Sequence, residues 1–246
     1  MKALAHYLAR IGWLLVVLTT IHVGADISKP DAHAATLQVA NNGTDSGTCG
    51  ATADPCRSIS QAIANASAGD TIEVGPGHYG DLNGNGIFGE SGEEPAEVGF
   101  GCVCMIKVDK QLTLVSLDGA ATTVLNAGEA GVRVAHIEAS GVVFGQTKHG
   151  FTLTGTVAAS VGLSVDSATS GVAITGNVAS KRVQGFTVAA GGTGHTIIGN
   201  LANNNSFNGF VIGGTGHVIT GNTASANGAA GFFLGGTGHV VTGNAA

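Results

Sequence analysis

Apolar and polar positions alternate in two short strings that return along the C-terminal half of the chain. The first reads GVAITGN from Gly171, GHTIIGN from Gly194, GHVITGN from Gly216 and GHVVTGN from Gly238, at spacings of 23, 22 and 22 residues. The second reads GLSV from Gly162, GFTV from Gly185, GFVI from Gly209 and GFFL from Gly231, at spacings of 23, 24 and 22. GFTLTGT from Gly150 reads as an earlier, diverged member of the first set. Period-two alternation of β-branched and aromatic residues predicts strands, and so short a unit has no room for a helix pair. Phe186, Phe210 and Phe232 then share a face with Val188, Ile212 and Leu234. Ile174, Ile197, Ile219 and Val241 point inward from the other string, while Thr175, Thr220 and Thr242 point out. One unit buries little by itself. Units stacked about 4.8 Å apart superpose like on like and make a continuous core, so the pattern predicts a solenoid with two strands per unit.

The punctuation agrees. Gly213-Gly214-Thr215-Gly216 recurs as Gly191 to Gly194 and Gly235 to Gly238, and Gly-Asn follows each strand of the first set. Glycine supplies the positive-φ corners, and Asn177, Asn200, Asn222 and Asn244 form a predicted hydrogen-bonded ladder. Upstream, Leu37-Gln38-Val39 is an opening strand. Ser58 caps a short helix that carries Ile59 and Ile63 on one face, ends by Gly69 and covers the open end of the stack. The chain stops at Ala246, halfway through a unit and without a cap. The expectation is that it is truncated, with further coils beyond, or that it self-associates end to end there.

Residues 1–34 read as a signal peptide: Lys2 and Arg10 precede or flank an apolar run from Ile11 to Val23, and small-residue cleavage patterns end at Ala25 and Ala34. The run is short of the about 20 residues a membrane span needs. This leaves residues 35–246 as one domain, secreted, periplasmic or on the cell surface, with no membrane span and with regular 22-residue coils from about residue 150. Only 11% of residues are charged while 41 are Gly, a mix that suits many short strands and tight turns. A net charge of −6 with ten Lys and Arg argues against a nucleic-acid partner. The four cysteines suit two disulfides in an oxidising compartment. Cys49 with Cys56 closes a comfortable loop, Cys102 with Cys104 a strained one, and a four-thiolate zinc site is the alternative.

The run from Gly69 to Tyr79, GDTIEVGPGHY, follows an apolar cap helix and precedes coils ending in Gly-Asn. In this the chain resembles the pectate-lyase-like right-handed parallel β-helix superfamily over about residues 36–246, and in particular its exported bacterial members with generic β-helix repeats. The resemblance implies an all-β, right-handed parallel β-helix with a short N-terminal capping helix. It leaves activity open, because that superfamily includes lyases, hydrolases, epimerases, adhesins and periplasmic metal-delivery proteins.

Three constellations carry candidate chemistry. Asp81, Asn83 and Asn85, with Gly86 and the Ile87 carbonyl, follow the start of a calcium loop; Glu93, or else Glu90 or Glu94, substitutes for the missing bidentate carboxylate at Gly92, and a plain polar turn is the alternative. His195, His217 and His239 stack in one column, which reads as structural packing, with copper or zinc as the competing use. Phe151 and Val172 are placed in the same column in earlier coils. Arg133, His136, Glu138, Lys148 and His149 are the weak catalytic candidates, from which an acid–base cluster could be built, with a solvated charged face as the alternative. The reading is an exported β-helix repeat protein that binds polysaccharide or serves as a cell-surface structural module. The alternatives are a polysaccharide lyase or epimerase acting on an acidic glycan, and a periplasmic metal-handling β-helix; Ca²⁺ is the one cofactor anticipated.

Overall fold

The computed structural model describes residues 34–83, 85, 87–95, 97–99, 102–128, 132–156 and 160–246. The proposed signal peptide lies outside them, apart from Ala34. Three parallel sheets run the length of the domain. The first joins eight strands: Thr36–Val39, Thr71–Val74, Thr113–Ser116, Val143–Phe144, Ala173–Thr175, Thr196–Ile198, Val218–Thr220 and Val240–Thr242. The second joins Gly77–Gly80, Thr123–Asn126, Thr152–Thr154, Val178–Ser180, Leu201–Asn203 and Thr223–Ser225. The third holds Cys102–Val108, Arg133–Ile137, Val161–Val165, Gln184–Val188, Phe210–Ile212 and Phe232–Leu234, with Glu97–Gly99 added antiparallel at its first edge. The chain visits the sheets in that order and then begins the next coil. This is the parallel β-helix expected from the sequence.

Like stacks on like in the core. Phe186 pairs with Phe210 and Phe210 with Phe232, with ring centroids 5.0 and 4.7 Å apart. Ile174, Ile197 and Ile219 form a second, fully buried column. The predicted unit of two strands is in fact three. The missed strand follows each Gly-Asn corner and presents a single small core residue, Ala179, Ala202 or Ala224, so no large-apolar alternation advertises it. Small residues are needed there: a Cβ added at Gly209 would lie 3.1 Å from the Ala224 Cβ and 2.7 Å from the Gly231 carbonyl oxygen.

A second correction concerns GFTLTGT. Thr152–Thr154 pairs with Val178–Ser180 in the second sheet, so Phe151 occupies the Asn177 position; the first-sheet strand of that coil is Val143–Phe144. Val142, and not Phe151, therefore precedes Val172 and His195 in the histidine column. The loop between Phe144 and Phe151 lengthened this coil and hid the register.

The Asn ladder forms. Asn200 Oδ1 accepts from the Asn177 N–H at 3.0 Å, and Asn200 Nδ2 donates to the Ile174 carbonyl at 2.8 Å; Asn222 and Asn244 repeat both bonds one coil on. Each amide serves the corner where the chain leaves one sheet for the next. A second ladder, Asn205 to Asn227, does the same at the corner into the third sheet.

At the N-terminal end the helix Ile59–Asn65 buries Ile59, Ala62 and Ile63, and Ser58 Oγ accepts from Gln61 N as its cap. The helix stops at Asn65, short of Gly69, and Lys110 Nζ donates to the carbonyls of Ile63, Ala64 and Ala66. Both cysteine pairs are disulfides, Cys49 with Cys56 and Cys102 with Cys104, which overturns the zinc alternative. Cys102 and Cys104 sit two apart on one face of a strand, with Cα atoms 5.4 Å apart. Among the described residues no helix is long and apolar enough to cross a membrane. Replacing Asn200 with Leu strands several buried backbone groups, so we expect a loss of about 3 kcal/mol or more. Thr223→Ala, at an exposed position, should stay within about 0.5 kcal/mol; chemical denaturation of the two variants measures the difference.

Candidate functional site

The histidine column is built for packing. His195 and His217 are fully buried, and successive rings stack at 4.8 and 4.9 Å. Each Nδ1 accepts a backbone N–H from the preceding coil: Val172 to His195 at 3.1 Å, His195 to His217 at 3.0 Å, His217 to His239 at 3.2 Å. A nitrogen that accepts is bare, so the proton sits on Nε2, which donates to Gly213 O from His217 and to Gly235 O from His239. The rings are thereby held neutral. Burial, with His217 beside it, pushes His195 down to about 4, and burial lowers His217 too.

The third sheet carries the chemistry. Its register lines up one outward row: Lys107, His136, Ser164, Thr187, Val211 and Phe233. The row runs from charged through hydroxyl to apolar, and from His136 to Phe233 it lines a groove of about 690 Å³, which Arg133, Gln184 and Asp166 also line. At its charged end His136 is only 5% exposed. Its Nδ1 lies 2.7 Å from Ser164 Oγ, and its Nε2 has no hydrogen-bond partner although Glu138 Oε1 stands at 3.5 Å and Asp166 Oδ2 at 4.0 Å. Lys107 Nζ bridges to Glu138 Oε2 at 3.2 Å. Burial first, and then the Arg133 charge, lower the His136 pKa, so the ring is neutral at pH 7.

The sequence-derived cluster therefore divides. Arg133, His136 and Glu138 come together on the third sheet. Lys148 and His149 lie instead in the exposed turn between the first and second sheets, where His149 Nδ1 faces the carbonyls of Ser116 and Leu117. Lys107, Ser164 and Asp166 complete the site and escaped sequence reasoning. They are 28 to 31 residues from their partners in irregular coils, and only alignment of Ala135 with Leu163 and Ile106 would have exposed them. Arg182 was also missed. It is fully buried, donates to the carbonyls of Val132 and Thr156, and heads the second Asn ladder; burial brings its pKa down to about 10.

The Asp81 loop is organised by its own side chains. Asn83 Oδ1 accepts from Asn85 N and Asn85 Oδ1 from Ile87 N, both amides donate to Glu90 Oε2, and Glu93 Oε1 accepts from Leu82 N at 3.1 Å. Asp81 is fully buried, with its carboxylate against Gly128 of the next coil.

A family model described as "Periplasmic copper-binding protein (NosD)" matches residues 106–246, more than half of the chain. The chain belongs to this family. No curated protein matches it in sequence. Among solved structures it is similar to one titled "Crystal structure of pectate lyase Pel9A", at 18% identity and a TM-score of 0.46 over 79% of this chain and 54% of that one. It is also similar to a rhamnogalacturonan lyase, at 16% identity and a TM-score of 0.40 over 82% and 62%. The chain thus spans less than two thirds of the length of either.

The copper in the NosD description can be set against the residues present. The four cysteines are spent in disulfides, Met105 is buried in the core, and the stacked histidines commit Nδ1 to backbone N–H groups. The histidine column thus does not fit a metal ion. His136 Nε2 is unpartnered, but among the described residues it is not gathered with Glu138 and Asp166 into a ready metal-binding group.

Neutral burial has a pH signature. His195 binds its proton at an ordinary 6.5 when unfolded and only near 4 when folded, so the unfolded chain takes up protons first as pH falls. Stability is complete above 6.5 and is lost towards pH 4, by about 3 kcal/mol for this residue. His217 and His136 act in the same sense, whereas the buried Glu94, whose pKa is raised, acts in the opposite one. Melting curves from pH 7 to 4 should show the loss, and His195→Val, the residue of the two preceding coils, should reduce it.

Proposed function

We propose that this exported β-helix protein holds an extended polysaccharide along the groove of its third sheet. The carrying observation is the groove itself, which crosses five coils from Arg133 to Phe233, about 19 Å at the strand spacing. The backbone beneath it is consumed in the parallel ladders, so recognition falls to side chains repeated once per coil. Ser164, Gln184 and Thr187 offer hydroxyl and amide groups. Phe233 is 60% exposed and, with Val211, gives an apolar platform for the face of a sugar ring. Arg133 can take a carboxylate at the opposite end. The disulfides and the signal-like N-terminus suit work outside the cytoplasm.

Metal handling is the second reading, favoured by the family description and by the free imidazole nitrogen of His136. The lyase or epimerase reading has acid, base and cation side by side at that end of the groove, and the same experiment reports on it. Purified protein would be titrated with acidic and neutral oligosaccharides by calorimetry while absorbance at 235 nm is followed. Binding without absorbance change is the expected result, weakened at least tenfold by Phe233→Ala. Failure of every glycan to bind would reject the proposal, and rising absorbance would establish the lyase. For the Asp81 loop, whose Asn oxygens are already engaged by its own N–H groups, we expect equal melting in Ca²⁺ and in chelator. A Ca²⁺-dependent rise that Asp81→Ala abolishes would make it a calcium site.

A further inference from the structure

We propose that Ser164 and His136 are the nucleophile and general base of an esterase site at the charged head of the groove, acting on acetyl-sized esters of sugar hydroxyls. The proposal rests on the polysaccharide reading for what carries the ester, and on the local geometry for the chemistry. Ser164 Oγ and His136 Nδ1 lie 2.7 Å apart, within the reach of about 2.6–3.2 Å that proton abstraction needs. Among the described residues the hydroxyl proton has one close acceptor, because the Ala135 carbonyl stands at 3.5 Å. Ser164 therefore donates, Nδ1 accepts, and the imidazole proton sits on Nε2. Two carboxylate oxygens face that proton, Glu138 Oε1 at 3.5 Å and Asp166 Oδ2 at 4.0 Å, and favour the same tautomer. In the stacked histidines Nδ1 accepts an amide N–H, which is never given up. In His136 it accepts a hydroxyl, whose oxygen is a nucleophile once the proton has passed.

The surroundings suit both roles. Glu138 is held through its other oxygen by Lys107 at 3.2 Å, and Asp166 through Oδ1 by the Ala168 N–H at 3.0 Å. Each carboxylate thus presents its second oxygen to His136 as a positioning group, steadying the imidazolium that forms. Burial, and then the Arg133 charge, keep the resting ring neutral and able to accept a proton at pH 7. Arg133 lines the same groove, and its guanidinium is the counter-charge available to an oxyanion. Ser164 also lines the groove but is only 6% exposed, so a small acyl group reaches it and a bulky one does not. In the first step Ser164 Oγ bonds to the ester carbonyl carbon while its proton passes to Nδ1. The carbonyl oxygen takes up the electron pair. As the carbonyl re-forms, the bond to the sugar oxygen breaks, and that oxygen leaves with the proton from Nδ1. Water then adds to the acetyl-serine and gives a proton to Nδ1; Ser164 Oγ leaves, recovers that proton, and acetic acid is released. The sum is ester and water to alcohol and acid.

The test uses the exported protein in chelator, so that no metal ion contributes. It is given p-nitrophenyl acetate, O-acetylated polysaccharides both acidic and neutral, and, separately, an alkyl fluorophosphonate. The expected result is acetate release from the small ester and from an acetylated polysaccharide, and one phosphonate adduct, on the peptide that carries Ser164. Ser164→Ala should lower acetate release about a hundredfold or more, and His136→Ala should also abolish the adduct. The pH profile separates catalysis from mere structural support. Glu138 favours the protonated imidazole, so Glu138→Gln should lower kcat and move the acidic limb of kcat/KM to lower pH; Arg133→Gln should move that limb to higher pH. Circular dichroism melts show which variants are folded. If Ser164→Ala is not, the adduct on the unmutated protein and the limb shift in Glu138→Gln carry the test. No adduct at Ser164, or acetate release unchanged in Ser164→Ala, overturns the proposal. Binding of an acetylated polysaccharide without acetate release overturns the esterase and leaves the polysaccharide reading standing. Turnover of p-nitrophenyl acetate at Ser164 with no polysaccharide bound keeps the serine chemistry and overturns the sugar ester as its substrate.

Discussion

Each coil of this protein satisfies its backbone only through the coils above and below it. A single coil has no internal ladder, so every N–H and C=O in the three sheets looks along the solenoid axis for its partner. From that constraint the rest follows. Parallel, in-register pairing places each residue on its counterpart one coil away, and a core position must then tolerate a copy of itself at about 4.8 Å. Flat rings and branched aliphatics meet that condition, hence the Phe186–Phe210–Phe232 and Ile174–Ile197–Ile219 columns. Asn meets it at the corners for a different reason. Its amide carries both a donor and an acceptor, so one side chain closes the N–H and the C=O that the bend takes out of the ladder.

The same rule decides which histidines are available for chemistry. In the regular coils the corner before the first sheet leaves an N–H pointing along the axis, and imidazole Nδ1 accepts it. Accepting that bond fixes the neutral tautomer, buries the ring and removes it from metal binding. His136 lies on the outer face of the third sheet, where the strand already has its ladder partners. Its ring takes no part in the corner hydrogen bonds and is positioned by Ser164, with Glu138 and Asp166 beside it. Two histidine environments in one fold thus differ in what the ring nitrogens are committed to, and the hydrogen bond made by Nδ1 is what separates them.

Periodicity made much of this legible. The Phe, Ile, Asn and His columns were readable because a spacing of 22–24 residues states the register outright, and the Ser58 cap and the Cys49–Cys56 bridge were readable from local chemistry. The second-sheet strands were not, because Ala179, Ala202 and Ala224 offer no alternating bulk. The assignment of Phe151 failed for a related reason: the turn between Phe144 and Phe151 lengthens its coil and shifts the apparent repeat. The site suffered most. Arg133, His136 and Glu138 are close in sequence and were found, while Lys107, Ser164 and Asp166 reach them only across coils of irregular length. Lys148 and His149 were included for proximity along the chain, and the intervening corner carries them to another edge.

That the polar site should fall in the irregular coils has an electrostatic cause. A charged residue repeated in every coil would face its own kind at about 4.8 Å, at roughly 1 kcal/mol per pair in water and several times that near a protein surface. A solenoid built of near-identical coils therefore sheds charge, and beyond residue 150 this chain retains only Asp166, Lys181 and Arg182. Charge returns where a row changes identity from one coil to the next. Lys107, His136 and Ser164 follow one another in a single row, and Glu138 and Asp166 flank it, so each charge finds an opposite or neutral neighbour. The regular coils extend the groove as a ruled, uncharged surface ending at Phe233; the lapse in the repeat supplies its charged end. In a fold whose stability comes from repetition, clustered charge is confined to the places where repetition stops.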